Sequence, residues 1–311
     1  MQFSVCQESH IGGRKVNQDR MGYCYTRDAL LLVLADGMGG HLRGEIAATI
    51  ATQVLSMLFQ QQARPYIKKP ERFLEEALLQ AHRDILHYAQ ANGLPDTPRT
   101  TVVACLVQHN RAVWAHCGDS RLYWLRRGQL LARTRDHSHI EFLIERGQAD
   151  PSERGTHPDR NKLYNCLGAS SEPRVELSRP VTVEPGDVLM LCSDGVWSML
   201  PDTEIVYQLS SRTVVRAVPD MVAMAAAIGG ARADNTTALA IMWQGAHEAD
   251  GAGGDDVIST RMLPEDEVSS TIMAAPGPLD APAADVFDEA EIDKAIAEIR
   301  DAIEKSSQLL K

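Results

Sequence analysis

The stretch Ala29–Gly40, ALLLVLADGMGG, constrains this chain more than any other. An apolar run ends in Asp36, and Gly37, Met38, Gly39, Gly40 and His41 follow. The run is far short of the roughly 20 apolar residues that cross a membrane. It reads as a buried strand that delivers one carboxylate into a glycine-rich turn, a common way to build a metal or phosphate site. Asp and Gly also suit ordinary turns, so the rest of the chain decides between the two.

With 311 residues, 44% apolar and 23% charged, the chain can bury a sizeable core. The N-terminal residues MQFSVCQESHIGGRK lack the basic and apolar regions of a secretory signal, and no run reads as a transmembrane helix. The six cysteines are scattered, with no C-x-x-C pair. They read as reduced core residues of a cytoplasmic protein, not as a disulfide framework or a zinc site. The net charge of −11 belongs to one end: beyond Gly245 lie sixteen acidic and five basic residues, leaving twenty-six of each before it. Neither part has the basic stripe of a nucleic-acid binder.

Strand-like runs are expected at Phe3–Gln7, Met21–Thr26, Leu30–Ala35, Thr100–Val107, Ala112–Cys117, Arg121–Leu125, Pro173–Leu177, Val188–Cys192 and Thr237–Trp243. Helical spacing marks Glu45–Gln61 and Glu71–Gln90, where Phe73, Ala77, Leu78, Ala81, Ile85, Leu86 and Ala89 recur on one face. Shorter helices are expected at His139–Arg146, near Thr203–Ser210 and at Thr213–Ala227. This order predicts an α+β fold of antiparallel sheet and packed helices, not a regular βαβ repeat. Residues 245–284 read as an acidic Gly/Ala/Pro-rich linker, and 285–311 as an amphipathic helix with Ile292, Ile296, Ile299 and Ile303 on its seam. That helix is expected to dock on a partner, on the parent domain or on its own kind.

Four further aspartates share the character of Asp36: Asp19 in GRKVNQD, Asp119 in CGDSR, Asp194 in CSDG and Asp234 in ADNTT. All lie at strand edges, mostly beside Gly or Asn. Hard oxygen ligands of this kind suit Mg²⁺ or Mn²⁺. Asn235 reads as ordering the Asp234 turn, and Asp136, His137 and Ser193 as structural turn residues.

In order, the motifs are R-x-x-N-Q-D, A-D-G-M-G-G-H, T-T-V-V, G-D-S-R, D-H-S, N-x-L-G, S-D-G-V-W and D-N-x-T, running from about Phe3 to Trp243. Each alone is weak; together the chain resembles the PPM family, the metal-dependent type-2C protein Ser/Thr phosphatases, in their bacterial form. The resemblance implies a catalytic domain over 1–244, built as a β-sandwich of two antiparallel sheets flanked by helix pairs. It implies two Mn²⁺ or Mg²⁺ ions bridged by Asp36. The Gly37 carbonyl and Asp19 would serve one metal, Asp194 and Asp234 the other, and Asp119 a third, weaker one. Arg14 would hold the phosphoryl group of a phosphorylated protein substrate.

The implied reaction is direct attack on phosphoserine or phosphothreonine by a metal-bridging water or hydroxide, without a phosphoenzyme, in opposition to a bacterial Ser/Thr kinase. Many eukaryotic relatives place a histidine directly after the metal-ligand glycine. Here Met38 stands in that place, and the nearest histidine is His41. The polar stretch Gly147–Arg160 takes the place of the family's flap beside the active site. A binding-only descendant would commonly lack one or more of these aspartates, and here the set is complete.

Overall fold

The computed structural model describes residues 1–38, 43–150, 153–154, 157–159, 162–245 and 269–271. In chain order the elements begin with β1 (Gln2–His10), β2 (Asp19–Tyr25), β3 (Ala29–Asp36), α1 (Gly44–Gln62) and α2 (Pro70–Ala91). Next come β4 (Val102–Gln108), β5 (Arg111–Cys117), β6 (Arg121–Arg126), β7 (Gln129–Arg133) and α3 (His139–Glu145). The strands β8 (Glu176–Leu177), β9 (Val181–Thr182) and β10 (Val188–Cys192) follow. The chain continues with α4 (Asp194–Trp197), α5 (Asp202–Ser211), α6 (Val214–Gly229), β11 (Thr236–Gly245) and β12 (Ser269–Ser270).

Two antiparallel sheets stack face to face. One runs β1-β11-β10-β6-β7; the other runs β12-β2-β3-β4-β5-β8, with β9 also paired to β5. Successive strand residues point to opposite faces, which explains why β3 is apolar throughout. Its Leu30, Leu32 and Leu34 join Leu189, Leu191, Leu239 and Trp243 between the sheets. Its Leu31, Val33 and Ala35 meet Leu55, Phe59 and Leu78 of the helix pair α1 and α2. A strand covered on both faces has no use for a polar alternation. Helices α5 and α6 cover the outer face of the other sheet, against Met190, Cys192, Ala238 and Ala240. The order of layers is helix, sheet, sheet, helix, as the resemblance implied.

Local chemistry accounts for the element ends. Pro70 begins α2, where a missing N–H costs nothing. The turn between β6 and β7 has Arg127 at φ 49° and Gly128 at φ 76°, the left-handed pair of a tight hairpin. Of the α2 face, Leu86 is only partly buried, and Tyr88 goes inside.

Several expectations are revised. Thr100 and Thr101 precede β4 and bond to Asp36 and Leu167. Only Glu176–Leu177 of the expected Pro173–Leu177 strand pairs, since Pro173 has no N–H to give. The strands β7, β9 and β12 and the short helix α4 were not anticipated. The segment Val214–Arg232 is long and apolar enough, by length and composition, to cross a membrane. In the fold, Val214, Ala217, Val218, Met221, Val222 and Ala225 of this segment lie in the core. Within the stretch read as linker, Ser269 and Ser270 pair with Tyr25 and Cys24 of β2. Residues 246–268 and 272–284 of that linker, the helix expected over 285–311, His41, and residues 151–152, 155–156 and 160 of the polar stretch Gly147–Arg160 lie outside the described residues.

The topology gathers the chemistry at one end. Asp19 opens β2 and Asp36 closes β3, and the two are register partners. In the facing sheet, Cys192 at the end of β10 pairs with both Arg121 and Ala238. The turns carrying Asp119, Asp194 and Asp234 therefore meet at that same sheet end.

Candidate metal centre

The five aspartates form one electrostatic cluster. Burial raises the Asp36 carboxyl well above the usual carboxylate range, and the charges of Asp19, Asp194, Asp119 and Asp234 push it further. The same causes raise Asp194. Burial raises Asp19 despite its hydrogen bonds. Asp119 is pushed up to about 7, by burial and then by Asp136. Asp19 and Asp119 are buried, while Asp36, Asp194 and Asp234 are half-buried and open the cluster to solvent.

The backbone around each carboxylate is tightly held. The Asp36 carbonyl accepts hydrogen bonds from the Thr101 N–H (2.9 Å) and the Thr100 hydroxyl (2.8 Å). Thr101 in turn shares a 2.6 Å hydroxyl bond with Ser120. A Cβ on Gly118 would lie 2.5 Å from the Thr101 Cβ, so the turn bearing Asp119 sits directly on that threonine. Ser193 donates to Asp19 Oδ2 at 2.8 Å and accepts the Thr237 N–H at 3.0 Å. A Cβ on Gly37 would lie 2.4 Å from the carbonyl carbon and oxygen of Gly44, the first residue of α1. Glycine is required there for close approach.

Asn235 ties the Arg14 loop to this floor. Its amide donates to the Ile11 and Val16 carbonyls at 2.9 and 3.1 Å, on either side of Arg14. Its side-chain oxygen accepts the Gln18 N–H at 2.8 Å. Arg14, expected to hold the phosphoryl group, lies in a bidentate pair with Asp234, Nε to Oδ1 at 2.8 Å and Nη2 to Oδ2 at 2.5 Å. A guanidinium beside clustered carboxylates compensates their charge.

The residues fit divalent cations. Asp19 Oδ1 is buried without a partner, and an orphaned carboxylate oxygen is costly. The surrounding donors are all hard oxygens, the set that Mg²⁺ and Mn²⁺ favour.

A second group, His116, His137 and Glu176, has metal-like proximity, but hydrogen bonds commit both nitrogens of His137 elsewhere. The Asn165 amide orientation is fixed by Arg174, so its Nδ2 donates to His137 Nδ1 at 2.7 Å. The Gly118 N–H donates to the same nitrogen at 3.1 Å. The proton therefore sits on His137 Nε2, 3.2 Å from Glu176, and neither nitrogen is left for a metal. This cluster steadies Gly118 and the turn of Asp119. Asp136 is likewise structural, in a bidentate pair with the buried Arg121. Arg121 also lies 3.7 Å from the ring centre of Trp197, whose indole N–H donates to the Asp119 carbonyl at 2.9 Å.

Every proposed site residue is thus brought to one end of the sandwich. The sequence reading assigned no site role to Thr100, Thr101 and Ser193, which hold the Asp36 and Asp19 strands. Their only signal was membership of the T-T-V-V and S-D-G-V-W motifs.

Comparison with known proteins places the chain in a family. The family model for Protein phosphatase 2C matches residues 6–229. The Serine/threonine phosphatase stp of Listeria monocytogenes is 31% identical over 231 residues, covering 73% of this chain and 90% of the relative. The crystal structure of the Mycobacterium tuberculosis serine/threonine phosphatase PstP/Ppp superposes with a TM-score of 0.68 at 29% identity, covering 78% of this chain and 99% of that one. A crystal structure of the PstP catalytic domain in complex with two manganese ions gives a TM-score of 0.65 at 28% identity, over 77% of this chain and 97% of that one. With the family model spanning most of the fold, this chain belongs to the protein phosphatase 2C family in its bacterial Ser/Thr form.

Proposed function

We propose that this chain is a metal-dependent protein Ser/Thr phosphatase. It hydrolyses phosphoserine and phosphothreonine on protein substrates by direct attack of water, in opposition to a bacterial Ser/Thr kinase. The observation that carries the reading is the cluster of aspartates with an orphaned Asp19 oxygen and a bidentate arginine at its rim.

Asp36 would hold two divalent ions, with Asp19 and the Gly37 carbonyl serving one and Asp194 and Asp234 the other. Asp119 would serve a weaker third. When bound, such ions supply a water-derived nucleophile at neutral pH and neutralise phosphate charge. Arg14, placed at the rim of the cluster on Asp234, would bind two phosphoryl oxygens, orienting the ester and stabilising the charge that spreads over those oxygens. Asn235 and Ser193 keep the Arg14 loop and Asp19 in place. Met38 carries no titratable group and so gives the leaving alkoxide no proton. A cytoplasmic location is consistent with six free cysteines, five of them buried.

The test is hydrolysis of a phosphothreonine peptide by metal-stripped protein with and without Mn²⁺. Turnover should require the ion, stop with chelator, and fall to background in Asp36→Ala. Turnover at the parent rate in that variant would remove Asp36 from the site.

A further inference from the structure

A cavity of about 690 Å³ adjoins the aspartate cluster, with Arg14, Asp194 and Asp234 on its wall. That volume accommodates more than one side chain. Its lining is unusually basic: five arginines face three aspartates. Two of those aspartates, Asp194 and Asp234, belong to the metal-ligand set. The third, Asp202, is taken up by Arg133 at 3.2 Å and the Tyr123 hydroxyl at 2.8 Å.

Most of the arginines are equally committed. Arg121 holds Asp136, Arg133 holds Asp202, Arg154 holds Glu141, and Arg14 holds Asp234. Arg232 differs. It lines the cavity, it is exposed, and among the described residues no carboxylate lies within ion-pairing distance of it. It closes the short 3-10 turn Gly230–Arg232, two residues before Asp234.

Its position relative to Arg14 is set by backbone packing. The Gly13 N–H donates to the Ala233 carbonyl at 2.9 Å. A Cβ on Gly13 would lie 2.2 Å from the Ala231 carbonyl oxygen and 3.3 Å from the Arg232 nitrogen. The segments bearing Arg14 and Arg232 therefore touch main chain to main chain, and both arginines face one cavity. A substrate whose phosphate sits on Arg14 presents its neighbouring residues to Arg232.

We propose that Arg232 reads the substrate: it binds an acidic group, a carboxylate or a second phosphate, on a residue flanking the phosphorylated Ser or Thr. The proposal rests on the phosphatase reading above and deepens it, naming acidic phosphopeptides as the favoured class. Arg suits this role because its planar fork matches carboxylate and phosphate oxygens alike.

The experiment measures kcat/KM with Mn²⁺ for phosphothreonine peptides flanked by glutamates, by glutamines, or by a second phosphoserine, and for p-nitrophenyl phosphate. The full chain should prefer the glutamate peptide over the glutamine peptide by about threefold to fivefold, the worth of a partly exposed ion pair. In Arg232→Ala that preference should vanish, while p-nitrophenyl phosphate turnover stays within about twofold of the parent, since the small ester has no flank to read. Arg232→Glu should invert the preference. A gain confined to the doubly phosphorylated peptide identifies phosphate as the recognised group, and a gain shared by the glutamate peptide shows that a carboxylate suffices. A parent indifferent to flanking charge, or a preference that survives in Arg232→Ala, overturns the proposal alone. Absence of Mn²⁺-dependent hydrolysis of every substrate overturns both it and the phosphatase reading.

Discussion

Asp19 and Asp36 oppose each other across paired strands, and Arg14 meets the cluster's charge at Asp234. On the proposed reading, Arg14 has two competing anionic partners, the Asp234 carboxylate and the substrate phosphate. Removing it should therefore separate binding from turnover. Arg14→Ala is expected to bind Mn²⁺ at least as tightly as the parent by calorimetry, because a competitor for Asp234 is gone. Its kcat/KM for a phosphothreonine peptide should fall by about 30- to 150-fold, or about 2–3 kcal/mol for a charged bidentate contact. Asn235→Ala should destabilise the fold by about 1–3 kcal/mol in denaturant melts, because two carbonyls and one N–H around the Arg14 loop lose their partner. The aspartates were legible in the sequence because each follows or precedes a strand in a motif with Gly or Asn. Ser193, Thr100 and Thr101 were not: a hydroxyl that holds a neighbouring strand reads the same as one that merely turns the chain. The Arg14–Asp234 pair was also hidden, since 220 residues separate its members.

Among the elements, β3 shows most clearly how the chain specifies its layers. Its continuous apolar run is a consequence of serving two cores, one toward α1 and α2 and one toward the facing sheet. Leu32, fully buried between the sheets, should cost about 2–5 kcal/mol when truncated to alanine, measured by denaturant unfolding. The junction of β3 and α1 is more exacting. Gly37→Ala would force Gly44 and the start of α1 away from the strand end, so it should weaken Mn²⁺ binding even where the protein still folds. Long strands such as β3, β4, β10 and β11 were readable from apolar runs alone. The two-residue strand β9 was not, because so short a pairing leaves no periodicity, and β8 was read too long for the same reason. Helix α4 was not, because its four residues make a single turn that Asp194 begins.

For the molecule as a whole, the clustered carboxylates oppose the fold that contains them. The raised pKa values of Asp19, Asp36, Asp119 and Asp194 mean that, without bound cations, the folded chain holds protons that the unfolded chain has released. Its stability contribution therefore falls as pH rises from the ordinary carboxylate range through the raised values, about 7 for Asp119. Burial lowers His116, with the opposite effect: stability is lost as pH falls below the ordinary histidine value, where only the unfolded chain takes up the proton. Divalent ions compete with protons for the carboxylates and leave His116 untouched. The rise in melting temperature on adding Mn²⁺ should thus be larger near neutral pH than at about pH 5.5 in the same buffer. An equal rise at both would mean that the ion binds elsewhere. The neutral balance before Gly245 and the acidic excess beyond it fit a folded unit followed by a charged extension, of which residues 269–271 return to the edge of β2.

The central claim is that these aspartates form a divalent-cation centre, and Mn²⁺ titration of the metal-stripped protein by calorimetry tests it most directly. The account predicts at least two ions bound per parent chain and loss of both in Asp36→Ala, with circular dichroism showing that the variant keeps its fold. A folded parent that takes up no Mn²⁺, or a folded Asp36→Ala protein that binds as the parent does, would contradict it.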